Sequence, residues 1–469
     1  MLGSKSNQSE PRGALVARLL RLAWPIAVSM LSYSLMTAVD TLFVGRSGAA
    51  AIAAVGLGGM VSFTLLTFGM GLLRGGKVLS AYSFGAGNHS KTEELAKTNV
   101  ALAAVLSVLT LAVTILVAPL LRKAFSDAHA GQLVVSYVQI RAVSIPFFLI
   151  SCAVREICQG VGDSQRPMRA AVIANVVNIP LNALLVIGLG LGVVGSAVAN
   201  VLAQVVELVC LYRSRPSWFR GMPVEVAKIR EIVRLGWPLG LEMFLDVSSF
   251  STLAIIIAKF GAVELAAHQI AIQIAHLTIL PILAVAEAAS VLAGHACGSG
   301  RTGDVRLIAR VSVAVGLSVA ASTALALVSI PGTLAGAFTS DVGVRPLAEV
   351  LIRMVSGFQL GFVLYAVGRG VLRGLGDLRF TSFVTVGVAW LCTPTLGLIL
   401  GQVFGFGVVG GWCGLSLEIT VASSLYIWRL EHGSWKKAAG KIQQLYAGYE
   451  DEAIANAVTT LHSASVEES

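Results

Sequence analysis

Arg21-Leu-Ala-Trp-Pro25 returns as Arg234-Leu-Gly-Trp-Pro238, 213 residues later. Gly85-Ala-Gly87 returns as Gly298-Ser-Gly300 at the same offset, Gly160-Val-Gly-Asp163 as Gly374-Leu-Gly-Asp377 at 214, and Gly192-Val-Val-Gly195 as Gly407-Val-Val-Gly410 at 215. Four collinear matches at nearly one offset mark a duplicated unit. Twelve apolar runs surround them, at 22–44, 49–73, 99–121, 134–160, 170–191, 193–211, 235–258, 265–296, 311–338, 348–374, 380–404 and 407–428. Most reach the roughly 20 residues that cross a bilayer. Each unit holds six, an even number, so both units start on the same face and form a parallel repeat about an axis along the membrane normal, an organisation found in transporters. The expected fold is therefore an all-α polytopic membrane protein with two parallel six-helix lobes. Its expected divisions are a cytoplasmic segment 1–21, an N-lobe 22–212, a linker 213–231, a C-lobe 232–430 and a cytoplasmic tail 431–469.

The composition agrees. The chain has 469 residues, 56% apolar and 13% charged, against roughly a quarter charged in soluble domains, and its mean hydropathy is +0.81. The 49 Gly follow no fixed period and the six Cys are scattered, which excludes collagen-like and disulfide-stapled classes. A net charge of +9 in a soluble protein would point to nucleic acid. Here position explains it, and no nucleic-acid partner is expected. Of 34 Lys+Arg, 27 fall in 1–21, 74–97, 155–169, 213–234, 301–310, 369–379 and 429–441, all on one side of the expected topology. The excess of positive charge places that side, with both termini, in the cytoplasm. The first run is too long for a signal-peptide core and reads as a retained span. The polar, Glu-rich end after Glu431 reads as a partly disordered tail.

Ionisable groups inside spans cost roughly 2.5–3.5 kcal/mol on insertion scales and are functional candidates by default. Asp40, in the outer part of span 1, is the foremost, as a proton or sodium site; the bland alternative is a carboxylate that reaches the interface or pairs with Arg46. Glu242 and Asp246 are spaced i, i+4 on span 7 and share a face, an arrangement suited to proton exchange. Asn178 and Asn182 straddle Pro180, which removes a backbone donor and frees a carbonyl; they form either a neutral shell for an ion or interhelical hydrogen bonds. Arg155 and Glu156 are adjacent, face apart and do not pair with each other. Glu207, Glu287 and Glu418 are acids of second rank. His268 and His276 share a face but lack a third ligand, so no metal site is expected. Most glycines serve packing and turns, and the two Gly-x-Gly-Asp segments read as turns in which Asp caps the next helix. There is no phosphate-binding loop, His-Glu-x-x-His, nucleophile elbow or Cys-x-x-Cys. An enzyme is not expected, nor a cofactor beyond a coupling ion.

Leu22-Ala-Trp-Pro25, Val39-Asp-Thr-Leu-Phe-Val-Gly45, Gly162-Asp-Ser-Gln-Arg-Pro-Met168, Leu265-Ala-Ala-His-Gln-Ile270 and Leu372-Arg-Gly-Leu-Gly-Asp377 together resemble the multidrug and toxic compound extrusion (MATE) family over roughly residues 15–430. The resemblance implies two lobes around a central cleft in a bacterial inner membrane, and efflux of organic, often cationic, compounds in exchange for inward H⁺ or Na⁺ by a functional monomer. It also assigns Asp40, Asn178, Asn182 and Asn200 to a cation site of the N-lobe and Asp246 to the span 7 carboxylate of the C-lobe; with Glu242, its neighbour by spacing, Asp246 is the candidate substrate or second coupling site, and either Glu242 stands in for an acid missing there or coupling rests on Asp40. Asn182, where one branch has Asp, is more similar to the NorM-type branch. That branch's span 10 acid is Phe362 here, so the C-lobe cation site as usually drawn lacks a member. The main alternative is a flippase for lipid-linked saccharide precursors. Such a protein would line its cavity with cations, whereas Arg141, Arg155, Arg353 and Arg369 are read here as lying nearer the span ends, which favours cationic cargo.

Overall fold

A computed structural model describes residues 11–45, 49–122, 128–219 and 226–444. The chain winds through α1 (Arg12–Val44), α2 (Ala49–Gly85), α3 (His89–Leu121), α4 (Ala128–Ala142), α5 (Ile145–Gly160), α6 (Gln165–Asn182) and α7 (Gly192–Ser214), the first lobe. The second lobe follows as α8 (Val226–Ala258), α9 (Ala262–Gly298), α10 (Val305–Ser329), α11 (Pro331–Phe338), α12 (Val344–Gly374), α13 (Leu378–Trp390) and α14 (Gly407–Glu431). Among the described residues eleven helices are long and apolar enough to cross a membrane, and the pair α4/α5, bent by 50°, makes a twelfth if counted as one span. Arg46, the N-terminal residues 1–10, linker residues 220–225 and the acidic tail 445–469 lie outside the described residues.

The repeated glycines are repeated turns. Gly87 and Gly300, Gly162 and Gly376, and Gly192 and Gly407 all take positive φ, between 53° and 82°, a region nearly free of cost only for glycine. The expected aspartate caps are not made: no side-chain capping bond starts α6 or α13. Instead Asp163 pairs with Arg166 at 2.7 Å and with Arg215, just past α7, at 3.2 Å, while Asp377 pairs with Arg429 at the end of α14 at 2.8 Å. Each turn is thus tied to the last helix of its own lobe. The prolines also repeat. Beyond Pro180 the backbone widens into a π segment, Ala183–Gly188, and Pro394 sits within another, Leu391–Leu396; the missing N–H disrupts the regular ladder at both places.

Three expectations of detail change. The ninth run is not one helix: α10 stops at Ser329, Ile330 leaves helical geometry (φ −131°, ψ 40°), and Pro331 opens the separate α11. The segment after Glu431, expected to be partly disordered, is ordered as far as residue 444. Residues 436–444 are helical, Trp435, Ala439 and Ile442 are buried, and Gln443 donates to the Cys297 carbonyl at 3.0 Å. Finally, five of the 27 cations assigned to one face, Arg74, Lys77, Arg155, Arg369 and Arg373, lie within the bundle and pair with acids. The remaining 22 against seven still make the bias, but those five serve another purpose.

The lobes meet chiefly through α2 against α8 and through α1 and α2 against α9. This seam lies toward the end of the bundle where α2 and α9 finish and the C-terminal segment docks. Glycines permit it: a Cβ on Gly236 would stand 1.9 Å from the Leu72 carbonyl oxygen, and one on Gly71 2.4 Å from that of Leu239. His295 Nε2 meets the Gly160 carbonyl at 2.8 Å nearby. Toward the other end, half-buried Ser34 and exposed His276 approach only to 3.4 Å. Gly236→Val is expected to hold α8 off α2, read as a longer spin-label distance between the two helices; an unchanged distance would show that the backbone yields elsewhere.

Candidate functional site

Asp40 is 3% exposed inside the N-lobe. Asn182 Nδ2 of α6 donates to its Oδ1 at 2.9 Å and Asn200 Nδ2 of α7 to its Oδ2 at 2.5 Å. Asn182 Nδ2 also reaches Asn178 Oδ1 at 3.0 Å, so the two amides one helical turn apart form a single wall. The structure thus brings together Asp40, Asn178, Asn182 and Asn200 from helices up to 160 residues apart in sequence. No Lys or Arg makes an ion pair with Asp40 among the described residues; Arg141 of α4 adds a positive field at longer range. Among the described residues Asn182 Oδ1 has no hydrogen-bond partner, and the Asn178 side chain lies close enough to act on Asp40 as a donor. A buried carboxylate held only by neutral donors is short of one positive charge, and carboxylate with amide oxygen is a donor set for a hard cation.

Deeper in the same lobe, Arg155 pairs with Glu207 at 3.3 Å, and Tyr33 bonds both. The guanidinium lies 5.0 Å from the Tyr33 ring centroid. Glu156, facing the other way as expected, meets Arg74 and Lys77, each at 3.7 Å. Those two cations of α2 cross the seam to Glu287 of α9, at 3.4 Å from Arg74 and 2.5 Å from Lys77. Glu287, ranked second by sequence, is therefore one of the acids through which the lobes are joined by charge; Glu94 of α3, paired with Lys228 of α8, is another.

In the C-lobe, Glu242 is 1% exposed and fully engaged: Arg373 and Ser382 bond it, the latter at 2.8 Å, and Arg369 stands 3.6 Å away. Asp246 is looser, 3.9 Å from Arg369 with 27% of its side chain exposed. The expected shared face of Glu242 and Asp246 is present, but an arginine bridges the pair, so mutual repulsion does not govern it. The reading of Arg155 and Arg369 as groups near the span ends is likewise corrected, since both are enclosed within the bundle. Phe362 is buried and packs between Phe358 and Tyr365. His268 accepts from Trp412 Nε1 at 3.2 Å, and among the described residues no group of three His, Cys, Asp or Glu is placed to hold a metal.

Two pseudo-symmetric six-span lobes, with charged groups enclosed along their seam, define a membrane transporter of the parallel-repeat class. The MatE family model matches residues 25–184 and 238–399, once in each lobe, and the chain belongs to that family. Multidrug resistance protein MdtK of Pectobacterium atrosepticum is 26% identical over 431 residues, spanning 88% of this chain and 94% of that protein. MdtK of Edwardsiella ictaluri is 27% identical over 432 residues with the same coverage. A MOP superfamily transporter from Pyrococcus furiosus, 20% identical, superposes with a TM-score of 0.84 over 92% of this chain and 99% of its own. A multidrug resistance MATE family transporter in an outward-facing conformation gives 0.83 at 21% identity, over the same shares. These two likenesses bear on the fold.

Proposed function

We propose that this protein is a secondary antiporter of a bacterial inner membrane that exports organic compounds, cationic ones among them, in exchange for inward H⁺ or Na⁺. The observation that carries the reading is Asp40, a buried carboxylate with a neutral amide shell and no cation partner among the described residues. The multidrug resistance names of the MdtK relatives support the cargo class. With both termini cytoplasmic, the closed seam is the inner one. Asp40 is then loaded from the outer side, with Asn178, Asn182 and Asn200 as its shell. Loading moves α1, whose Pro25 already lacks one ladder bond and marks a weak point. The seam opens as Glu287 leaves Lys77 and Arg74, which keep Glu156 as a partner. A cationic compound from the inner side then binds at Asp246, a partly exposed acid of α8 beside Arg369, and favours return. Exchange is obligatory because ion and cargo stabilise opposite openings. The test is purified protein in vesicles preloaded with a fluorescent organic cation. An imposed H⁺ or Na⁺ gradient should drive the dye against its own gradient, and ATP without an ion gradient should not. Movement indifferent to both ions would overturn the reading.

A further inference from the structure

Six acids are buried among the described residues: Asp40, Glu156, Glu207, Glu242, Asp377 and Glu418. Four have a Lys or Arg partner. The two without one stand in different lobes, Asp40 in the first and Glu418 in the second. Glu418 is 4% exposed, midway along α14. Its Oε2 accepts a short hydrogen bond from Thr393 Oγ1, and Thr393 lies beside Pro394 in the π segment after α13. Asp40 has the equivalent surroundings, because its partner Asn182 lies just past Pro180 and borders the π segment after α6. Both acids thus face the proline-disrupted stretch in the fifth span of their own lobe. Keeping a carboxylate charged without a cation in low dielectric costs several kcal/mol, and no packing need is met by Glu there.

We propose that Glu418 is the proton site of the C-lobe, filling the role left open by Phe362 from a different helix; the proposal rests on the antiport reading above. The charged and titratable groups that act on it are Asp246 of α8, Arg369 and Tyr365 of α12, and Cys392 of the π segment. Asp246 and Glu418 therefore share one electrostatic environment. A cationic compound at Asp246 disfavours a proton on Glu418, and a proton on Glu418 weakens the hold of Asp246 on the compound. The proton comes from water at one opening and returns to water at the other, with no other bond changed. A single neutral hydroxyl partner suits a proton, since a sodium ion asks for several oxygens. Glu418 itself lies beyond residue 399, where the family match ends.

The experiment measures protons moved per fluorescent organic cation in vesicles, from the gradient at which net dye movement reverses, for wild type and Glu418→Gln. The expected ratio falls by one proton, and the slope of log Kd for the dye against pH falls by one. Thr393→Val keeps the carboxylate, removes its donor and is expected to move the midpoint of that pH dependence without changing its slope. An unchanged ratio and slope in Glu418→Gln, with wild type still driven by a pH gradient, would overturn this proposal alone. A wild type that no ion gradient drives would overturn the antiport reading instead.

Discussion

Asp40→Asn is expected to abolish gradient-driven efflux while leaving the protein folded, abundant in the membrane and able to bind the dye. Asn preserves size and can still meet Asn182 and Asn200, but it offers neither a titrating group nor a full negative charge. The gradient then has nothing to load beside α1, whose movement opens the seam, so the coupling free energy carried by that movement, typically about 1–3 kcal/mol, goes to zero whether or not Glu418 holds a proton. Removing an unpaired buried charge should also leave thermal stability equal or higher, so loss of transport will not be confused with unfolding. The readouts are dye efflux under an imposed gradient, dye binding at equilibrium and the thermal midpoint. Unaltered efflux would remove Asp40 from the mechanism. A fall in all three together would make it a structural residue.

The architecture was legible because duplication wrote it twice. Gly162 and Gly376 need positive φ at the same point of each lobe, so the same dipeptides survive 214 residues apart. The approach of Asp40 to Asn182 and Asn200 was reachable only through the family resemblance, since residues 142 and 160 positions apart carry no spacing signal of their own. What composition concealed was the purpose of the arginines. An Arg near the end of an apolar run reads as a group that reaches water or marks topology, and nothing local separates Arg429, at the rim, from Arg373, which turns inward to Glu242 131 residues away. Pairing across a seam is a property of how lobes dock. Glu418 left a weak trace that was available: it is the one Asp, Glu, Lys or Arg between Arg379 and Arg429. An acid alone in two consecutive spans has no partner on its own helices, and that isolation was the signal to follow.

Arg373→Met is expected to destabilise the protein by about 3 kcal/mol or more, the usual penalty for removing one partner of a buried pair, and Arg373→Met with Glu242→Gln to recover most of it. The geometry sets these expectations. Glu242 is almost fully enclosed, with Arg373 and Ser382 on its oxygens and Arg369 at 3.6 Å as reserve. The single change leaves a carboxylate with one distant cation. The double change leaves an amide that still accepts from Ser382, beside an apolar side chain of suitable length. The pair also decides between two uses of an acid in a membrane. If Glu242 serves as half of a structural pair, the double variant regains gradient-driven dye efflux along with its thermal midpoint. If Glu242 carries an ion, the midpoint returns and efflux does not. We expect the first outcome, because a group that must bind and release an ion in each cycle cannot also be held permanently by an arginine, whereas Asp40 and Glu418 have no such partner among the described residues.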